Sequence, residues 1–515
     1  MPTRKLAHLL PFLYSLIFVL PLAFGNVHKE LAHIRNWHYL ATLISLPILI
    51  GLWRKREGQT FHFHPLALRW AGTGLLVLFC GSVISKYFAV GENGIDFSIF
   101  DWMLVNTARS KFMYSPIYRV YHMGIHPSWI LLPLVPLKVL ITHPIFLSLI
   151  SAFVLWASTF MLWKLARTKE LDELTTALLV LAYGTCSFLG TVVNGGFRIE
   201  VFIPLFTFSF LYFWETRQTF RSLLALLLLL SVKEDTALYA GGFLLGEWIQ
   251  TPLRRRLAGF GFLLAMTTLL VNLFWVQPYF LAQSHITQAE YLKFWGHYGG
   301  SKNEILIHML TSPLQIASDI LSSGWWKLYL PLLLLPLFEF STLMASLAGI
   351  CLLGTAASYP VIHQYGQYYS LGLLCFAFFG LVRKLSEHVS LRRLIQPVLL
   401  LFPLLFVGYV QISPIDWTAY KELQDLRHIL QTEFKERPIC AQGIAFPYLG
   451  YELDLEPLDE QCLARKDSIA VLVLNKDPFP YTKSTLDSMV TSHPEAILHR
   501  IGENYLLRGS ALPPP

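Results

Sequence analysis

Lys233, Glu234 and Asp235 stand side by side in the middle of an otherwise apolar stretch, 223–245. Charges at that depth are costly in a membrane and are usually kept where they pair or line a wet cavity. An ammonium there can hold a phosphate, while the carboxylates orient a substrate or pair with a neighbouring base. The plainer alternative is a solvated turn closed by its own ion pair. Arg198 and Glu200 precede another apolar run, and the planar guanidinium fork of Arg198 matches phosphate oxygens, as it also suits a surface pair flanking a helix. Asp96 and Asp101 open a long loop, where Asp96 is placed to take a proton from an attacking hydroxyl or to cap a short interfacial helix. His363 and Tyr365 belong to a run of hydrogen-bonding rings, His363 to Tyr369, whose aromatics also suit an interfacial belt. Walker, GxGxxG, HExxH and GxSxG patterns are absent, as is any Cys/His cluster, so no nucleotide cofactor and no metal are expected.

The elements that position these residues follow from composition. Hydrophobic residues make up 54% of the 515 and charged residues only 14%, against about a quarter in soluble domains. Long charge-free stretches must close their own backbone hydrogen bonds as helices, and the patterning does not alternate as a barrel requires. Candidate spans fall at 9–24, 38–53, 68–90, 144–162, 174–192, 201–214, 223–231, 236–249, 257–281, 326–338, 343–357, 368–382 and 395–411, about 13 helices of spanning type. The first is read as an uncleaved helix, although its end also resembles a signal-peptide cleavage site. The 129–140 stretch reads as an interfacial or re-entrant helix. No internal repeat stands out.

Despite a net charge of +7, the basic residues form short clusters in alternate loops, which indicates topology and no nucleic-acid partner. Those loops and the N-terminus then face the cytoplasm of an inner membrane, and the C-terminus lies outside. The loop at Glu339 carries no basic residue and is placed by parity alone. Asp96, Asp101, Arg198, Glu200, Lys233 to Asp235, His363 and Tyr365 all gather on the extracytoplasmic side. After Ser413, a polar helix at 417–436, strand-like runs at 439–442, 469–474, 496–500 and 505–507, and a helical stretch at 485–490 predict a small α/β domain. Cys440 and Cys462 either pair in an oxidising compartment or remain thiols.

The run Asp96 to Thr107, His126 before an apolar helix, Glu200, the Lys233-Glu234-Asp235 motif and His363 together resemble a bacterial family of multi-pass predicted membrane proteins of unknown function. That family is grouped with the GT-C class of glycosyltransferases. The likeness extends into the C-terminal region through Ala441-Gln442 and Pro447-Tyr448-Leu449. The chain departs from it at Arg198 and Tyr448, where the family usually has histidine. The resemblance implies an all-α polytopic GT-C-like membrane domain (68–412) with extracytoplasmic loops 91–143 and 282–325. A two-helix extension (1–67) precedes it, and an extracytoplasmic α/β domain (413–510) and a disordered tail (511–515) follow. It further implies inverting transfer of a sugar from a polyprenyl-phosphate donor, a membrane lipid, to an extracytoplasmic glycan, lipid or protein acceptor. Asp96 would be the base, and Asp101, His126, Arg198, Glu200, Lys233, Glu234, Asp235, His363 and Tyr365 would bind substrate. A transporter or flippase and a non-catalytic envelope-assembly protein are the rival expectations.

Overall fold

The computed structural model describes residues 65–90, 94–284, 290–359, 368–405, 413–465, 467–473, 491, 497–502 and 504–509. The expected spans at 9–24 and 38–53, the helical stretch at 485–490 and the tail lie outside the described residues, and the expected span at 395–411 is described only in part, within the helix Val389–Leu405.

The chain is mostly helical, as its composition requires, but the count of about 13 spans is not found. Among the described residues, Ile145–Thr168, Pro252–Ala282 and Tyr368–Glu387 are long and apolar enough to cross a membrane. Two bent pairs, Glu173–Gly184 with Phe188–Asn194 and Lys302–Thr311 with Pro313–Ser322, would raise the number to 5. Other expected spans are cut short. Phe202–Glu215, Thr219–Leu230, Thr236–Gln250 and Phe340–Gly354 have 12 to 15 residues, so even the longest reaches only ~23 Å against a hydrocarbon core of ~30 Å. Thr219–Leu230 stops just before Lys233 and Thr236–Gln250 just before Pro252. The expected span at 326–338 dissolves into Trp326–Tyr329 and the 3-10 turns Leu330–Leu332 and Leu335–Phe338. Pro331 and Pro336 remove backbone donors there, and Leu333 and Leu334 between the turns take left-handed φ values of 56°.

The bundle centres on the antiparallel pair Thr236–Gln250 and Phe340–Gly354. Gly242 and Gly246, one turn apart, let the two backbones touch: a Cβ on Gly246 would lie 2.5 Å from Ser341 Cα, and one on Gly242 2.6 Å from the Met344 carbonyl oxygen. At the end of this pair sits a buried ionic cluster. Arg383 lies 2.7 Å from Glu247 and 2.8 Å from Glu339, and it also pairs with Glu215, which in turn meets Lys169. Trp214 Nε1 and Ser341 Oγ donate to Glu247, and the Thr342 amide donates to Glu339. Glu339, which no basic neighbour placed in the sequence, thus shares the end of the bundle occupied by Arg383.

Beyond the bundle, the chain forms a five-stranded sheet in the order Leu455–Pro457, Ile439–Ala441, Ile469–Val473, Tyr505–Arg508, Ile497–Ile501. The first three strands run parallel and the remaining pairings are antiparallel, with Ile439 opposite Ile469 and Val471 opposite Leu507. Strand Ile469–Val473 is wholly buried at its centre. Helix Trp417–Glu433, capped by Asp416 on the Ala419 amide, packs beside it. Four of these strands match the sequence expectation, while Leu455–Pro457 was not anticipated. Cys440 and Cys462 are joined in a disulfide.

Replacing Arg383 by Met would leave three glutamates in an apolar interior with Lys169 as their remaining described cation. The variant should lose about 3–5 kcal/mol of stability, read as a large fall in thermal midpoint of the detergent-solubilised protein. An unchanged midpoint would contradict the buried cluster.

Candidate functional site

At the opposite end of the same helices, the connection between Thr219–Leu230 and Thr236–Gln250 carries Lys233, Glu234 and Asp235. It is held in shape locally, since Thr236 Oγ1 donates to the Lys233 carbonyl at 2.7 Å and the Ile130 amide donates to the Ser231 carbonyl at 3.0 Å. Lys233 Nζ lies 3.2 Å from Glu200 Oε1, 3.7 Å from Asp235 Oδ2 and 5.2 Å from the centre of the Tyr369 ring. Glu234 Oε1 lies 2.9 Å from His126 Nδ1. Glu200 occupies the 3-10 turn Ile199–Val201 that leads into Phe202–Glu215, and Arg198 just before it stacks 4.0 Å over Tyr368. Lys233 and Glu200 are only 5% and 6% exposed. Four segments distant in sequence therefore meet in one buried ionic cluster.

The cluster holds two fixed cations, three carboxylates and an imidazole. Burial opposes the charge of Lys233, but Asp235, Glu200 and Glu234 more than offset it and hold the ammonium above its ordinary range. Burial likewise pushes Glu200 up, yet Lys233, Arg198 and His126 keep it below the usual carboxylate value. Glu234 follows the same logic through His126 and Lys233, whereas burial wins at Asp235 and raises it. His122, beside Ser128 at 3.3 Å and against the Phe100 ring at 5.2 Å, is pushed down to about 3 by burial and by His126, so it is neutral. Glu234 Oε2 and Asp235 Oδ1 are buried without a hydrogen-bond partner among the described residues. Such oxygens call for a donor, which a hydroxyl-bearing ligand or a water supplies.

Of the residues expected to act together, the structure brings His126, Arg198, Glu200, Lys233, Glu234 and Asp235 into this cluster. Asp96 is the third residue of the helix Gly94–Ala108, and its side chain lies outside the described residues. Position 96 stands one turn before Phe100, whose ring packs on His122 and Phe197 next to the cluster. His363 and Tyr365 also lie outside the described residues, although Tyr368 and Tyr369 of the same run line the site.

Asp101 is elsewhere. Fully buried, it pairs with Lys138 at 2.7 Å and accepts from the Tyr451 hydroxyl, with the Lys138 ammonium 4.9 Å from the Tyr451 ring. Burial pushes the Asp101 carboxyl up and the Lys138 ammonium down, and each is the main group opposing the other's shift. The expected interfacial helix at 129–140 is the turn Trp129–Leu131 followed by Leu134–Leu140, whose outer residues Leu137, Val139 and Leu140 are exposed while Lys138 points inward. Around this pair the first loop is bound to the C-terminal sheet region. Ser98 Oγ donates to the Gly443 carbonyl at 3.4 Å, Arg109 to the Tyr451 carbonyl at 2.8 Å, and the Tyr448 hydroxyl to the Tyr87 carbonyl at 2.9 Å. Arg119 reaches Glu456 and Asp459. A lysine within an otherwise apolar stretch was the available signal for Lys138, whereas Tyr451 carried none. Among the described residues no group of three His, Cys, Asp or Glu is arranged to hold a metal ion.

A helical bundle that includes helices long and apolar enough to cross a membrane is of the kind found in membrane proteins. The chain belongs to the family described as "Predicted membrane protein (DUF2079)", whose profile matches residues 87–428. That match takes in the whole cluster and ends inside Trp417–Glu433, so Tyr448, Tyr451 and the sheet lie beyond it, although the sequence resemblance extended there. No curated protein matches the chain.

A depressed carboxylate stabilises the fold above its unfolded value and loses that contribution as pH falls through the folded one. Glu234→Gln, which removes the charge that meets His126, should therefore lower stability by about 2 kcal/mol at neutral pH, with the loss shrinking in acid. Thermal unfolding in detergent at neutral and acid pH checks this, and a variant as stable as the wild type at neutral pH would contradict the contact.

Proposed function

We propose that the protein transfers a sugar from a polyprenyl-phosphate donor to an extracytoplasmic acceptor with inversion, as a GT-C-type glycosyltransferase of the inner membrane. In this reading Asp96 takes the proton from the acceptor hydroxyl. The acceptor oxygen forms its bond to the anomeric carbon as the bond from that carbon to the phosphate oxygen breaks. The electron pair leaves with the polyprenyl phosphate, whose charge Arg198, Lys233 and His363 stabilise. Glu200, Glu234 and Asp235 fix those groups and accept from sugar hydroxyls, and Tyr365 binds substrate. Asp101 acts from behind, as a positioning residue for the helix that bears Asp96.

The observation that carries the reading is the convergence of His126, Arg198, Glu200 and Lys233 to Asp235 at one end of the bundle, beside the helix Gly94–Ala108. Sidedness has separate support. The Cys440–Cys462 disulfide suits an oxidising compartment for the C-terminal region, 413–510, read as an extracytoplasmic domain. The basic residues Arg217, Arg221 and Arg254 to Arg256 accompany the other ionic cluster, as a cytoplasmic face would. A transporter would concentrate ionisable groups near the bilayer midplane, whereas both clusters lie at helix ends.

Membranes from a deletion strain complemented with the wild type or with Asp96→Asn provide the test. The variant should express and fold normally but lose sugar transfer by about 10²–10⁴-fold, with the polyprenyl-phosphate sugar accumulating. Surface glycans that change on deletion yet remain normal in Asp96→Asn would exclude this mechanism and favour a transport or assembly role.

A further inference from the structure

Between the long helix Pro252–Ala282 and the bundle's inner helices, Lys302–Thr311 and Pro313–Ser322 follow one another with a bend of 94°. Each has 10 residues, so each is ~15 Å long, and at that angle their far ends stand only ~21 Å apart, too little to cross a core of ~30 Å. Polar contacts fill the angle between the two arms. The Tyr298 hydroxyl donates to Asp319 Oδ2, His297 Nε2 lies 3.7 Å from the same carboxylate, and His308 and Gln315 join the two arms at 2.8 Å.

The hairpin is anchored at the level of the ionic site. Trp295 Nε1 donates to Thr355 Oγ1 at 3.1 Å, His297 Nδ1 lies 2.6 Å from Ser358 Oγ, and a Cβ on Gly354 would lie 3.0 Å from Ile320 Cα. Those partners sit at the end of Phe340–Gly354 that faces the start of Thr236–Gln250, where Asp235 lies.

Polar and apolar groups are segregated on it. The polar contacts lie between the arms, while toward the bend Leu306, Ile307, Leu310 and Leu314 are 58%, 60%, 74% and 86% exposed, as is Leu321 near the far end at 65%. From Ile305 to Ser318 the only ionisable side chain is His308, and its ring is engaged by Gln315. Four large aliphatics turned outward at the tip would be a liability in water. The preceding long helix Pro252–Ala282 also turns apolar residues outward, with Leu263 at 64% and Trp275 at 66%.

We propose that Lys302–Ser322 is a re-entrant wedge whose apolar tip lies in the hydrocarbon of the leaflet on the side of the ionic site, with its base in the headgroup region. The occupant of the exposed face is the bilayer itself, because large aliphatic side chains turned outward need an apolar medium and the chain belongs to a membrane-protein family. The inference stands whether or not the site transfers a sugar.

Full-length protein in liposomes tests it. Leu310→Cys, Leu314→Cys and Asn303→Cys are made separately with the free cysteines Cys80, Cys186, Cys351 and Cys375 replaced by Ala, and labelled with bimane. Spin-labelled lipids should quench positions 310 and 314 at least about twofold more than aqueous iodide does, at depths of about 5–10 Å, and position 303 should show the reverse. Each labelled protein is retained only if it keeps the parent's elution volume and thermal midpoint, and Leu306→Cys replaces either tip variant that does not. Strong iodide quenching at the tip would put it in water, and tip-to-tip cross-linking between copies without lipid quenching would make it a protein interface. Either result overturns the proposal.

Discussion

The structure depends on one constraint: every charge drawn into the apolar bundle must find its counter-charge there. Helices Phe202–Glu215 and Thr236–Gln250 carry that constraint at both ends. At one end Glu215 and Glu247 converge on Arg383, and at the other Glu200 and Asp235 converge on Lys233. Removing one partner from such a pair costs far more than the pair itself contributes, so the helix ends are locked in register by electrostatics, while the glycine contacts of Gly242 and Gly246 fix their separation. The two clusters differ in completeness. The Arg383 carboxylates are tied down further by Trp214, Ser341 and the Thr342 amide, which suits a purely structural lock. In the Lys233 cluster Glu234 Oε2 and Asp235 Oδ1 are instead buried without a hydrogen-bond partner among the described residues.

The second constraint is carried by the first loop. The helix Gly94–Ala108 lies between the ionic cluster on one side, through Phe100, and the C-terminal sheet region on the other, through Trp102, Asp101 and Ser98. The sheet region is therefore more than an appendage to the bundle. Its Gly443 and Tyr451 help to set where position 96 stands, and the Cys440–Cys462 disulfide joins the strand Ile439–Ala441 to the segment whose Asp459 binds Arg119 of the same loop.

The site was more legible in the sequence than the fold. Three consecutive charges inside an apolar run, and an arginine and a glutamate at the head of another, marked these positions for pairing or a wet cavity, with a solvated turn and a surface pair as the alternatives, and the structure buries them as pairs. Their gathering at one end followed from sorting the helix ends by alternate basic loops, although which side chain meets which did not, and Glu339, placed by parity alone, meets Arg383. The number of spans was not legible. Hydropathy records which stretches avoid charge, but not that Pro331 and Pro336 dissolve one of them, or that 12- to 15-residue helices stop short of a full crossing. Asp101 was misgrouped because a carboxylate five residues from Asp96 looks like its companion in sequence. On the helix the two positions differ by well over a quarter-turn, so Asp101 instead meets Lys138 and Tyr451, from segments that no spacing connects to it.

The central claim is that Lys233 and Glu200 belong to one buried network, and a double-mutant cycle measures this most directly. Thermal stabilities of the wild type, Lys233→Met, Glu200→Gln and the double variant yield a coupling free energy. A value of about 0.5–3 kcal/mol is expected for residues in a shared ionic network. Simple additivity of the two single changes, within about 0.3 kcal/mol, would mean that the two side chains do not meet and that the site as described does not exist.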